Sequence, residues 1–165
     1  MLKKVHESMG RITNRLNSLS RIILGVIVGS MLVIIVMQVI LRYLFNTGFT
    51  WPEEVTTFLM AWMTFLGSAI ALKQSEHISL ELFVGLLPKK IYILVRFISR
   101  ILVFSFILLF TYLAFNFALG SLSYSANTVD ISLFWPRVSI FVSSLLMIIY
   151  TIEFILGDVR EVLEK

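Results

Sequence analysis

The sequence predicts an all-α membrane protein: four transmembrane helices, amphipathic interfacial helices beside them, and both termini cytoplasmic. Three observations carry this. The 165 residues are 58% apolar with a mean hydropathy of +0.93, more apolar surface than a soluble domain of this size can hide. Charge-free runs long enough to cross a hydrocarbon core of about 30 Å recur along the chain. The basic residues gather beside alternate runs, the pattern that orients multi-span proteins. A β-barrel is excluded because the runs are long and do not alternate.

The spans are placed at about 22–41, 54–72, 95–120 and 134–156, within a single membrane domain covering 1–165. Residues 22–41 hold no charge, and neither do 55–72. The third span takes most of its length from the charge-free stretch between Arg100 and Asp130, with Arg96 and Arg100 one turn apart at its inner end. The fourth has Arg137 and Glu153 near its ends, where they can snorkel to the interface.

Two segments outside the spans read as amphipathic. In residues 1–21, Val5, Met9, Ile12, Leu16, Leu19 and Ile23 form one helical stripe, with Lys4, Arg11 and Arg15 off it. That is the pattern of an interfacial helix on anionic lipid, and no small-residue site marks it as a cleaved signal. Residues 76–90 form the second, a connector with Ile78, Leu82, Leu86 and Leu87 on one side and Pro88-Lys89-Lys90 at its end.

Basic residues precede the first span (Lys3, Lys4, Arg11, Arg15, Arg21) and follow the second (Lys73, Lys89, Lys90, Arg96, Arg100). The other two loops hold Arg42 and Arg137 with Glu53, Glu54 and Asp130. Both termini are therefore expected in the cytoplasm, with loops 43–54 and 121–133 on the outer side. Lys89, Lys90, Arg96 and Arg100 are candidates for lipid headgroup contact, which is compatible with simple topology determination. Nucleic acid is not indicated, since no basic stretch is interleaved with aromatics.

The outer hairpin gathers the most chemistry. Thr50 can cap the second helix, with Glu53 completing a capping box and Pro52 suited to the first turn. Arg42 is near enough to pair with Glu53 or Glu54; the alternative is that Arg42, Asn46, Trp51, Glu53 and Glu54 contact a partner's outer surface. From Glu54, a three-four spacing picks out Thr57, Ala61, Thr64, Ser68 and Ala71, a stripe of small residues that lets helices approach closely in lipid. It serves either this chain's own bundle or a second subunit. Gly25 and Gly29 form a GxxxG, a weak signal for the same behaviour. Trp51 and Trp135 suit the interface, and Trp62 suits packing on a neighbouring helix. Asn116 is expected to bond to another helix.

No catalytic, substrate-binding or metal site is predicted, and no cofactor. Cysteine is absent, and His6 and His77 stand far apart in sequence, so thiolate chemistry, a zinc site and a haem pair have no ligands. There is no GxxxxGK phosphate loop, GxSxG or HExxH. No span has a carboxylate at its centre, where a self-sufficient proton-coupled carrier needs one.

The stretch QVILRYLFNTGFTWPEEVTTFLMAWMTFLGSAIALKQSEHISLE, from Gln38 to Glu81, resembles the small membrane subunit of tripartite ATP-independent periplasmic (TRAP) transporters, the DctQ-like family. The matching positions are Arg42, Tyr43, Phe45, Asn46, Trp51, Glu53, Glu54, Trp62, Gly67 and His77. The resemblance implies a non-catalytic scaffold subunit in the bacterial inner membrane. Its partners would be a large multi-span transport subunit on a separate chain, a periplasmic substrate-binding protein and membrane phospholipids. It further implies sodium-coupled import of a carboxylate-bearing solute, of the dicarboxylate or sialic acid class. The competing reading is a small autonomous four-helix exporter acting as a dimer.

Overall fold

The computed structural model describes residues 2–46, 48–75 and 89–163. The described residues form four helices: α1 (Leu2–Leu44), α2 (Trp51–Ser75), α3 (Lys89–Leu119) and α4 (Phe134–Leu163). There is no strand among the described residues, only one antiparallel bridge between Ser125 and Ser132. Each helix contains a stretch apolar and long enough to cross a membrane, and the chain is a multi-pass membrane protein. The 76–90 connector, with His77, lies outside the described residues, apart from the backbone of Lys89 and Lys90 at the start of α3.

α4 is the hub. It packs against each of the other three helices, and α1 also packs on α2. Ala69 of α2 with Tyr150 and Phe154 of α4 form a buried cluster, with Leu16, Leu72, Leu146 and Met147 around it. Much of the buried surface elsewhere on α4 is small and polar: Ser139, Ser143, Ser144 and Thr151. The hydroxyls of Ser139, Ser144 and Thr151 donate to carbonyls of their own helix, so helices approach closely without leaving those donors unsatisfied.

α1 differs from expectation. No break separates a surface helix at 1–21 from the first span; one helix of 43 residues runs through, about 64 Å at 1.5 Å per residue. Nothing between Leu2 and Leu44 is a proline, and the two glycines of the span do not interrupt the ladder. Its inward side is shared between the apolar stripe and small residues: Leu16 of the stripe packs on the core cluster. Ile12 and Leu19 are exposed, while Thr13 and Ser20 are buried. Lipid does not penalise exposed apolar side chains, so the small residues turn inward where close packing is gained. The helix ends at Leu44, and two residues on Asn46 takes a φ of 50°, a left-handed conformation that asparagine tolerates.

Candidate functional site

At one end of the bundle the α1–α2 hairpin meets the α3–α4 loop. Glu54, in the first turn of α2, reaches across to that loop. Its carboxylate accepts the backbone N–H groups of Asn127 at 2.7 Å, Thr128 at 2.9 Å and Val129 at 2.8 Å. Three successive amides converging on one anion form a nest, and the bonds are charge-assisted. Glu54 is therefore the pin that holds the loop on α2. Sequence spacing alone could not show this, because the donors are backbone groups more than 70 positions away.

Glu53 turns the other way. Its carboxylate accepts the Gln38 amide at 3.3 Å, joining α2 to the end of α1. Among the described residues no ion pair joins Arg42 to Glu53 or Glu54, so the expected internal pair is not formed: Glu54 is taken by the loop and Glu53 by Gln38. The capping box is not formed either; Thr50 stands just before α2, and Glu53 points to Gln38. Arg42 instead lines a shallow recess with Gln38, Gly48, Phe49, Thr50 and Glu53. Asn46 and Trp51 are exposed beside it.

The loop has further fastenings. Arg137 donates to the Ser121 hydroxyl, and its guanidinium lies 4.4 Å from the centre of the Phe117 ring. It thus ties the end of α3 to the start of α4 rather than simply snorkelling. Trp62 donates its indole N–H to the Trp135 carbonyl at 3.2 Å, as expected of a tryptophan packed on a neighbouring helix. Asn116, by contrast, bonds to the Tyr112 carbonyl of its own helix at 3.0 Å and is exposed. It lies on the side of α3 opposite Ile107, Thr111, Ala114 and Ala118, the residues buried against the bundle.

The small-residue stripe of α2 faces outward. Thr57, Thr64, Ser68 and Ala71 are exposed and Ala61 is half-buried, while Leu66, Ala69 and Ile70 on the other side are buried. The Thr57, Thr64 and Ser68 hydroxyls donate back to carbonyls four residues earlier, at 2.8, 2.8 and 2.7 Å. The stripe is smooth and its hydroxyl donors are satisfied.

The other end of the bundle holds charges that the sequence did not pair. Lys73 of α2 forms an ion pair with Glu153 of α4, and its ammonium lies 5.1 Å from the centre of the Phe154 ring. Arg96 and Arg100 of α3 both bind Asp158 of α4, at 2.8 and 2.6 Å. Arg100 also donates to the Phe154 carbonyl. Asp158 is 3% exposed, and a buried carboxylate needs such partners. The two arginines named for lipid headgroups are thus engaged by an acid of the same chain. The signal that could have found it is the sign change along α4: two acids five residues apart, Glu153 and Asp158, at the end of an apolar span flanked by basic helices. Among the described residues no group of acids or histidines is arranged to hold a metal ion.

A family model described as tripartite ATP-independent periplasmic transporters, DctQ component, matches residues 31–161. Curated relatives agree. The chain is 32% identical over 96 residues to the C4-dicarboxylate TRAP transporter small permease protein DctQ of Vibrio cholerae, covering 56% of this chain and 41% of that protein. It is 33% identical over 73 residues to a putative TRAP transporter small permease protein of Haemophilus influenzae, covering 44% and 45%. Against the sialic acid TRAP transporter small permease protein SiaQ of Vibrio cholerae it is 27% identical over 138 residues, covering 84% and 80%. The chain thus spans less than half the length of the first two relatives and most of the third. With four apolar helices and a family match over most of its length, the chain belongs to the DctQ component family of the tripartite ATP-independent periplasmic transporters, whose members are transporter components and not enzymes.

Proposed function

We propose that the chain is the small, non-catalytic permease subunit of a sodium-coupled importer of a carboxylate-bearing solute, of the dicarboxylate or sialic acid class. It packs on a large multi-span transport subunit and enlarges that subunit's fixed part. Its hairpin end, with Arg42, Asn46 and Trp51 beside the Glu54-pinned loop, helps to dock the periplasmic substrate-binding protein.

The observation that carries this reading is the outward stripe from Thr57 to Ala71. Its residues are small, its hydroxyls are satisfied within α2, and a smooth helix face is what close packing in lipid requires. α1 adds to the open surface: from Arg21 to Leu44 no residue is buried. A comparison supports a large partner. Seventy-seven residues of this chain are 30% identical to a part of the sialic acid TRAP transporter permease protein SiaT of Haemophilus influenzae, and that part is 12% of the protein. In that relative a segment like this one is joined to a much larger permease. The solute class follows the names of the dicarboxylate and sialic acid relatives. Sodium coupling follows the resemblance.

The membrane is the bacterial inner membrane, with both termini cytoplasmic. Lysines and arginines orient spans whether or not acids accompany them, so the pairing of Lys73, Arg96 and Arg100 does not weaken that assignment. The test is purification of the tagged chain from native membranes in mild detergent. Recovery of a stoichiometric large multi-span permease is the expected result. A stable assembly of this chain alone would overturn the reading in favour of an autonomous dimeric exporter.

A further inference from the structure

The ion pairs at the Asp158 end of the bundle leave a different pair of arginines open. Arg11 and Arg15 are one turn apart on α1, exposed, and with Ser8 and Ile12 they line a surface recess of about 260 Å³. Among the described residues neither has a carboxylate partner. Of the acids described at this end of the bundle, Glu153 pairs with Lys73 and Asp158 with Arg96 and Arg100. The first 21 residues carry five lysines and arginines against one acid, Glu7. The recess is thus basic and open to an anion from outside the chain.

The same side of α1 continues as lipid-facing surface. At about 100° per residue, Arg11, Arg15, Ile22, Val26 and Val33 fall within an arc of about 60°. Ile22, Val26 and Val33 are each more than 60% exposed. Gly29 shares that arc, and nothing lies within 4 Å of where its side chain would begin. Ile22 and Val33 are eleven residues apart, about 16 Å along the axis. That is about half of a hydrocarbon core of roughly 30 Å, the depth of one leaflet. A basic recess followed by one leaflet's depth of open apolar ridge has the polarity order of a phospholipid.

We infer that this face of α1 is a binding site for one anionic phospholipid, with Arg11 and Arg15 holding the headgroup phosphate and the ridge from Ile22 to Val33 receiving an acyl chain. Two guanidiniums on one oxyanion give charge-assisted hydrogen bonds that a neutral lipid surface does not. Because α1 is continuous, the bound headgroup would set the depth of the whole helix rather than that of a separate surface segment. The inference rests on the chain being a membrane protein and not on the importer reading.

Native mass spectrometry of the full chain in mild detergent tests it, with phosphatidylglycerol, phosphatidylcholine and inorganic phosphate as probes. The expected result is retained phosphatidylglycerol, little phosphatidylcholine, and no displacement by inorganic phosphate. Arg11→Gln combined with Arg15→Gln should lower phosphatidylglycerol occupancy about tenfold or more, while Arg42→Gln at the opposite end leaves it unchanged. Equal retention of both lipids, unchanged occupancy in the double variant, or displacement by inorganic phosphate would each overturn it, the last by revealing a free-phosphate site. A photoreactive phosphatidylglycerol supplies a measurement on the unaltered chain. Labelling within residues 11–33 supports the site, and labelling confined to other helices refutes it.

Discussion

Asp158 and Glu54 do the most at the scale of single residues, and both act by accepting. Asp158 holds two arginines of α3 at a buried position, so Asp158→Asn leaves two guanidiniums without their anion. Breaking such a pair costs about 3–5 kcal/mol, read as a loss of thermal stability in detergent. Replacing both members of the Lys73–Glu153 pair with methionine should cost less than replacing either alone, because an unpartnered charge is worse than none. A cycle in which the double change is the most damaging would refute this. Glu54→Ala removes the acceptor for three amides, and hydrogen exchange at Asn127, Thr128 and Val129 should quicken several-fold while the helices stay protected. Unchanged exchange there would mean that the loop holds its shape without the carboxylate. The residue types were legible in the sequence, and their partners were not. Glu54 and Arg42 sit close in the chain, yet Glu54 prefers three preformed donors across the bundle.

At the scale of elements, α1 carries the main lesson. Its apolar spacing predicts a separate interfacial helix with its apolar stripe, Ile12 and Leu19 included, laid on lipid; one continuous helix is found instead, and those two side chains are exposed. In the structure the small residues Gly10, Thr13 and Ser20 face the bundle, because lipid takes the large ones. A side chain begun at Gly10 would lie 3.4 Å from a carboxylate oxygen of Glu153, whereas one begun at Gly29 meets nothing within 4 Å. Gly10→Leu should therefore destabilise the isolated chain by about 1–3 kcal/mol. Gly29→Leu should stay within about 0.5 kcal/mol. Equal effects in a detergent unfolding series would show that α1 is not seated as described. On α2 the three-four spacing correctly marked one face, and the same spacing could not tell inside from outside. The buried choice fell to Leu66, Ala69 and Ile70, which meet the α4 cluster around Tyr150.

For the whole molecule, the outward stripe should matter to assembly and not to folding. Thr64→Trp or Ser68→Trp should leave the purified chain monodisperse and helical while abolishing recovery of the large permease. A variant that still recovers it would move the interface elsewhere. Because the chain has no cysteine, single introduced cysteines report sidedness cleanly. Asp130→Cys should react with an impermeant reagent from the periplasmic side, and Arg11→Cys only after the inner membrane is opened. The reverse pattern would invert the topology.

What the sequence determined by itself is the solvent and the element count. Long charge-free runs can satisfy their backbone in lipid only as helices, so four such runs become four spans whatever their packing. The cluster from Gln38 to Glu81 also sufficed for the family. Tertiary structure alone decided which faces are shared and which are free, because in lipid apolar residues are welcome on every side and periodicity no longer points inward. It decided that Arg96 and Arg100 belong to Asp158 and that Glu54 belongs to a loop, since charge pairing depends on distance in space and not along the chain.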